Sequence, residues 1–502
     1  MATLGIDLGS SSVKISLLDT DNGTLISSVQ LPEEEMKIDS PFQGWAEQNP
    51  EMWWEYIKTG IKLIIHDAGP IRQDIKAIGV AYQMHGLVCV DKELNPVRPS
   101  IIWCDSRAAS IGKKAFDEIG GEKCLAHLLN SPGNFTASKL AWVKHNEPAV
   151  YAQVHRIMLP GDYIAMKLTG ECTTTASGLS EGIFWDFRRN EIARFLLEYY
   201  GISGSLLSGL VPQFGYQGTV KRDIAEELGL PTGVIISYRA GDQPNNAFSL
   251  NVLQPGEVAA TAGTSGVVYG VTDQVKYDPL SRVNTFLHVN HTVNNPRLGV
   301  LLCINGTGIL NSWLKNNVAA GLNYDEMNDL AGSIPAGAEG LSVLPFGNGA
   351  ERILLNDDIG CSVHGLQFNL HARAHMIRAA QEGIAFAFNY GMNIMRETGF
   401  SPKIIRAGNA NLFHSPVFRQ TLATITGSEI QLFNTDGSLG AAHGAAVGFG
   451  IYKSFDEAFS NLKILETVYP EPLATDQLAE AFSRWLNALN QQLLQRTLRE
   501  LP

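Results

Sequence analysis

Two stretches of this chain, far apart in sequence, follow one plan, and that repetition limits the fold more than any other feature. Leu4-Gly5-Ile6-Asp7 is apolar, Leu8-Gly9-Ser10-Ser11-Ser12 is a turn of small residues, and Val13-Lys14-Ile15-Ser16-Leu17 alternates like a half-buried strand. Glu257–Ala262, Gly263-Thr264-Ser265-Gly266 and Val267–Val271 repeat strand, small-residue turn and strand with little residue identity. A chain of 502 residues also exceeds one ordinary core, for which ~100–250 residues is typical. Two domains of similar architecture are expected, 1–245 and 246–502, with the second unit beginning near Asn245. No low-complexity linker separates them, so they should share a substantial interface.

The spacing around these stretches places an α/β fold. Asp21-Asn22-Gly23 supplies a hairpin turn, and Thr24 to Leu31 returns as a third strand. Asn49-Pro50 opens a helix whose Trp53, Ile57, Ile61 and Ile64 share one face. Strands are expected at Ile75–Ala81 and Leu87–Val90, so sheet and helix alternate. Ser415-Pro416 caps a helix that Gly427 ends. Leu478, Phe482, Trp485, Leu489 and Leu493 put one apolar stripe on a long terminal helix, an ordinary packing surface.

Composition removes several function classes. The formal charge of −12 offers no basic footprint for nucleic acid or an anionic membrane. No apolar run reaches the ~20 residues needed to span a bilayer, and Asp7 interrupts any secretory pattern at Met1–Gly5. A cytoplasmic protein is expected, with Cys89, Cys104, Cys124, Cys172, Cys303 and Cys361 as reduced, mostly buried thiols.

Four motifs carry chemistry, each against a plainer alternative. In Asp7-Leu8-Gly9-Ser10-Ser11, a tight turn leaves N–H groups pointing outward as an anion nest. Asp7 just before it can hold Mg²⁺, usually through water; the alternative is a hairpin with a surface acid. Ala262-Gly263-Thr264-Ser265-Gly266 has the same logic. If the halves face each other, both turns can reach one polyphosphate, although the chain has no Walker P-loop. Gly241-Asp242-Gln243 lies at the seam, where phosphoryl transfer to an alcohol needs a carboxylate to take the hydroxyl proton. Tyr82-Gln83-Met84-His85-Gly86 can line a polar pocket, and Trp103-Cys104-Asp105-Ser106-Arg107 suits a sugar's mixed surface, or is a core Trp beside a surface ion pair. Gly178-Leu179-Ser180-Glu181-Gly182 matches the serine-hydrolase elbow, but it lacks the strand before and helix after that the elbow requires.

Taken in order, these runs resemble the FGGY family of carbohydrate kinases over nearly the whole chain. The similarity is carried by Gly5–Lys14, Gly44-Trp45-Ala46-Glu47-Gln48-Asn49-Pro50, Gln83-Met84-His85-Gly86, Arg98–Arg107 and Phe135–Val143. It continues through Leu159-Pro160-Gly161-Asp162-Tyr163, Ala262–Gly266 and Leu344–Arg352. Met84-His85-Gly86 favours the branch that phosphorylates D-xylulose over the glycerol branch.

The resemblance implies two ribonuclease-H-like domains of the actin and hexokinase type around a catalytic cleft, with sugar on the N-terminal side and ATP mainly on the C-terminal side. It implies Asp242 as the base acting on the terminal sugar hydroxyl, O5 in D-xylulose, and Asp7 as the holder of Mg²⁺. Gly9, Ser10 and Ser11 would lie near the transferring phosphoryl group, and Gly263, Thr264 and Ser265 on the ATP phosphates. Met84, His85, Asp242 and Gln243 would contact the ketose, and Gly408, Asn409, Asn411 and Gly437 the adenosine. The implied partners are a small-molecule sugar and MgATP, and a homodimer is the assembly allowed for. The chain departs from the family pattern in three places. Gln243 stands where the family commonly has Asn, Ala407-Gly408-Asn409-Ala410-Asn411 replaces a glycine triplet, and Ile353 replaces the usual Thr-Pro after Glu351-Arg352. Ribulose, gluconate and glycerol are alternative substrates, and a non-catalytic actin-like nucleotide switch is the alternative of another class.

Overall fold

The computed structural model describes residues 1–500. Two sheets organise it. The first runs, in spatial order, Ile235–Gly241, Ile75–Tyr82, Ala2–Leu8, Val13–Asp19 and Thr24–Leu31. The second runs Asn284–Leu287, Leu298–Ile304, Gly266–Thr272, Glu257–Ala262, Ile404–Gly408, Glu429–Phe433 and Ile464–Val468. In each, the opening strand is central, with an antiparallel meander on one side and two parallel strands on the other, to which the second sheet adds Ile464–Val468 as an antiparallel edge. The duplicated plan suggested by the two small-residue turns is therefore present in strand order and direction.

Local chemistry explains the elements that hold these sheets. Asn49 caps the helix Pro50–Asp67, its side chain accepting from Glu51 N at 3.0 Å. Trp53, Ile57, Ile61 and Ile64 of that helix pack against the first sheet. The helix Arg373–Glu397 runs through the second core, and the helix Thr475–Glu500 seats Trp485 there, its indole donating to Val343 O at 3.0 Å. Among the described residues no helix is long and apolar enough to cross a membrane. The thiols correct the sequence expectation. All six cysteines are free, but only Cys89 and Cys124 are buried, because Cys104, Cys303 and Cys361 lie on exposed loops or strand ends.

Each half lends a helix to the seam. The helix Gly437–Phe449 follows a strand of the second sheet yet lies flat across the first. Its sequence, Gly-Ser-Leu-Gly-Ala-Ala-His-Gly-Ala-Ala-Val-Gly-Phe, has little side-chain bulk on the sheet side. Backbone therefore meets backbone. A Cβ on Gly5 would sit 1.8 Å from Ser438 O, and one on Gly79 2.0 Å from Ala441 O. The helix Asp242–Ser249 follows the last strand of the first sheet and packs on Gly437–Phe449, with Asn245 Nδ2 donating to Gly437 O at 2.8 Å.

This contact predicts a stability effect. Gly79→Ala should destabilise by about 1–3 kcal/mol, the usual range for overpacking, because its new methyl meets a main-chain carbonyl that cannot rotate away. Gly332→Ala, where nothing lies within 4 Å, should be neutral or slightly stabilising. Urea unfolding checks both; equal midpoints for the two variants would show that the helix does not seat on this sheet.

Candidate active site

Asp7 ends the first strand and faces Lys14 across the antiparallel pair. Lys14 Nζ binds Asp436 Oδ2 at 2.6 Å instead. Asp436 caps the seam helix, its other oxygen accepting from Ser438 N at 2.9 Å and Leu439 N at 3.1 Å. Gly437 then lies directly on Asp7: a Cβ there would be 2.1 Å from Asp7 Oδ2 and 3.0 Å from Asn246 Oδ1. Three carboxylates, Asp7, Asp242 and Asp436, thus sense one another with a single lysine among them.

Burial sets the protonation of each acid differently. Burial, then the charges of Asp242 and Asp436, push the Asp7 carboxyl up to about 7, with Lys14 opposing. Asp242 is the first residue of its helix, and burial raises it to about 6, offset by hydrogen bonds from the Gln243 main chain and side chain. Gln243 therefore folds back onto Asp242. Burial also pulls Asp436 upward, but hydrogen bonds from Lys14 and Ser438 outweigh it and hold that carboxyl below its ordinary value.

The two small-residue turns leave donors free. Gly9 N donates to Ser12 O at 2.9 Å, while the N–H groups of Ser10 and Ser11 have no acceptor among the described residues. The same holds for Gly263, Thr264 and Ser265, whose turn instead supplies carbonyls: Gly308 N donates to Gly263 O at 2.9 Å and Ile309 N to Thr264 O at 3.1 Å. Gly263 and Thr264 line a cavity of about 760 Å³ with Ile309, Tyr324, Asn411 and Ser415. Asn411 reaches its edge, its Nδ2 3.7 Å from where a Cβ on Gly263 would be. Ser265, Gly408 and Asn409 do not line it, and Gly437 lies against Asp7 instead. The charge of Asp242 reaches Cys303, at the end of the strand Leu298–Ile304, so the second sheet borders the same acid.

On the N-terminal side, Met84 is buried against Gly241, its Cγ 2.6 Å from a Cβ placed there. His85 lies beside it, its Nδ1 2.9 Å from Glu181 O. The Trp103 segment inverts one sequence alternative. Asp105 and Arg107 form the buried pair, 2.6 Å apart, with Arg107 also 2.6 Å from Glu47 and stacked 3.7 Å from the Trp45 ring centroid. Trp103 is the exposed member, 53% accessible, with its indole 3.4 Å from Ser10 Oγ.

The hydrolase-like run also resolves. Ser180 sits in a short helix, buried, donating to Ser177 O at 2.8 Å and accepting from Leu287 N at 3.0 Å, so its hydroxyl is fully used. Its neighbour Glu181 was missed by sequence reasoning. Both its oxygens are buried without a well-formed hydrogen bond, and burial raises the carboxyl well above its ordinary value. Asp436 was missed as well, although Asp before Gly-Ser at a helix start is a readable cap.

Comparison with known proteins places this geometry. Residues 2–249 match the N-terminal domain, and residues 258–449 the C-terminal domain, of the FGGY family of carbohydrate kinases. A xylulose kinase of Lactococcus lactis is 30% identical, over 96% of this chain and 95% of its own. One from Klebsiella pneumoniae is 29% identical over 88% of each. The crystal structure of a xylulose kinase from Rhodospirillum rubrum superposes with a TM-score of 0.87 at 25% identity, covering 98% of this chain and 99% of that one. Both α/β domains thus match one family: the chain belongs to the FGGY family of carbohydrate kinases and is an ATP-dependent sugar kinase.

Proposed function

We propose that this kinase transfers the γ-phosphoryl group of ATP to the terminal hydroxyl of D-xylulose, with Asp242 as the general base. The observation that carries this reading is the placement of Asp242 at the head of the helix Asp242–Ser249, which packs on Gly437–Phe449. It is a half-buried carboxyl, raised to about 6, which suits a base that must be charged yet proton-accepting near neutrality. The relatives that cover most of the chain and are named xylulose kinases support the choice of sugar, and Met84, packed on Gly241 next to Asp242, with His85 adjoining it, supports the place of the ketose.

In this reading Asp242 takes the hydroxyl proton as the oxygen forms its bond to the γ-phosphorus. The bond from that phosphorus to the bridging oxygen breaks, and ADP leaves with the electron pair. The unpaired N–H groups of Ser10 and Ser11, and those of Gly263–Ser265, are placed to bind phosphate oxygens. The cavity lined by Tyr324 and Asn411 takes the nucleoside.

A divalent cation fits the first turn. Three acids share one lysine there, and Asp7 is raised by burial and by its acidic neighbours, so the site has negative charge to spare. No group of three ligating side chains closes on a metal among the described residues, which fits a hydrated ion held mainly through water. Asp7 is the residue that would hold Mg²⁺, which supplies neutralisation of phosphate charge.

Three outcomes are expected. Asp242→Ala should lose roughly 10²–10⁴-fold in kcat while still binding sugar, and kcat/KM for sugar in the parent should rise with pH through about 6, because the base must be deprotonated. A profile flat from mildly acidic to neutral pH would remove Asp242 from that role. In a coupled assay over D-xylulose, ribulose, gluconate and glycerol, the highest kcat/KM should fall on D-xylulose; a larger value for another sugar reassigns the substrate. The third concerns Asp7. Its folded pKa of about 7 exceeds its ordinary value, so the native state holds the extra proton and Asp7's contribution to stability falls as pH rises from about 4 to 7. In EDTA, Asp7→Asn should therefore raise Tm more at pH 8 than at pH 4.5. Added Mg²⁺ should raise Tm at pH 8 for the parent and not for the variant.

A further inference from the structure

The helix Thr136–Asn146 begins with two buried polar side chains one turn apart, Thr136 and Lys139, both at 0% exposure. Among the described residues Lys139 has no carboxylate within ion-pair distance. Its Nζ donates to His85 O at 3.0 Å and to Ile102 O at 2.9 Å. Thr136 Oγ1 donates to Gly86 O at a longer 3.4 Å. One helix face therefore ties down two separate segments: the one carrying Met84 and His85, and the one that continues into Trp103.

His85 needs such support. Its φ is +61°, a left-handed conformation that strains a side chain with a Cβ and persists only where the surroundings enforce it. Its Nδ1 meets a carbonyl, Glu181 O, which can only accept, so the ring proton sits on Nδ1. Burial and then the Lys139 charge push the imidazole down to about 3, which keeps it neutral. Nε2 is then a lone-pair acceptor, and no protein donor reaches it among the described residues. The ring is fixed by Phe135, 4.8 Å away, and Phe286, 5.3 Å away.

A buried amino group is a costly way to fill this space, since an apolar side chain of equal volume has no charge to desolvate. Burial lowers Lys139 to about 7, against the opposing pull of Asp105. Its two donated hydrogen bonds go to two carbonyls, one on each of the segments it ties.

We propose that Lys139 is a positioning residue for the sugar pocket: by holding the His85 and Ile102 carbonyls together, it locks His85 in its left-handed turn and presents Nε2 as an acceptor to a sugar hydroxyl. This rests on the reading of His85 as a sugar contact. Lys139 spends its donors on the His85 and Ile102 carbonyls, so in this reading it acts through His85, and its effect should appear in the sugar Michaelis constant and not in that for ATP.

The test compares Lys139→Met, His85→Ala and the double variant, with D-xylulose and ATP as varied substrates. Lys139→Met should raise the D-xylulose KM about 10- to 100-fold, the cost of leaving buried carbonyls unpaired and the turn unheld, with kcat and the ATP KM within about twofold. In the His85→Ala background the same substitution should add little, because the residue acts through His85. A sugar KM unchanged by Lys139→Met, or the same fold-rise with and without His85, overturns the positioning role. If His85→Ala raises the sugar KM and Lys139→Met does not, only this inference falls. If His85→Ala itself has no effect, the pocket reading falls with it. Should Lys139→Met not fold, Thr136→Val removes the longer tie and should raise the sugar KM alone by about 2- to 5-fold; no rise, or an equal rise for both substrates, overturns the proposal.

Discussion

The structure depends on one close approach: the helix Gly437–Phe449, built by the second half, lying backbone to backbone on the sheet of the first. Only residues without bulk allow it, as the near-contacts at Gly5 and Gly79 demonstrate. Through this contact two independently built sheets become one site. The N-terminal turn of that helix lands on Asp7, and the partner helix from the first half places Asp242 beside it. A seam made of side-chain packing alone would stand the helix off by several ångströms (interhelical and helix–sheet spacings are about 8–10 Å) and would separate the acids from the amide terminus.

That arrangement brings an electrostatic cost with it. Asp7, Asp242 and Asp436 share a half-buried region in which Lys14 bonds Asp436 directly and only partly offsets the rise of Asp7. A stability-driven core would have no reason to gather unpaired carboxyls, since burying charge without a partner is unfavourable. The chemistry of phosphoryl transfer supplies the reason. A polyphosphate brings cations with it, and a base must stay close enough to neutrality to accept a proton. Asp436 is held charged because it also caps the helix, whereas Asp7 and Asp242 are left raised. The same residue type thus plays a structural part at one position and remains available for chemistry at two others, according to how many donors surround it.

Much of this was legible in the chain. The small-residue turns at Gly9–Ser11 and Gly263–Ser265, the Asn49 cap and the helix ended by Gly427 follow from turn and cap chemistry, which is local. What was not legible depends on long-range placement. Nothing in Gly437-Ser438-Leu439-Gly440 says that its neighbour is Asp7, since the two are joined only by the seam; resemblance alone pointed to the nucleoside. Trp103 and the Asp105–Arg107 pair were recognisable as a cluster, but which of them is buried is decided by Trp45 and Glu47, contributed by a distant loop. Glu181 lay hidden inside a run that reads as a nucleophile motif, and only its burial against Gly241 separates it from an ordinary helix-end acid. The thiols show the converse error, because composition predicts an average burial and three strand-end and loop cysteines depart from it.

The position of the acids relative to the seam has a mechanical consequence. Any rotation of one sheet against the other displaces atoms in proportion to their distance from the axis, and the two interlocked helices are where the halves are most tightly joined. Asp242 and Gly437 head those helices, so their separation from Asp7 changes least. The turn Gly263–Ser265 and the cavity beside Asn411 belong to the second half alone and travel with it. Closure of such a cleft would therefore carry that turn and cavity toward Asp242 and an acidic cluster that are already set. On the proposed reading, positioning of the sugar then falls to groups within the first half, which is where the buried Lys139 and the His85 turn are found. Two-substrate transfer with exclusion of water calls for such a division, one side preset and the other free to close.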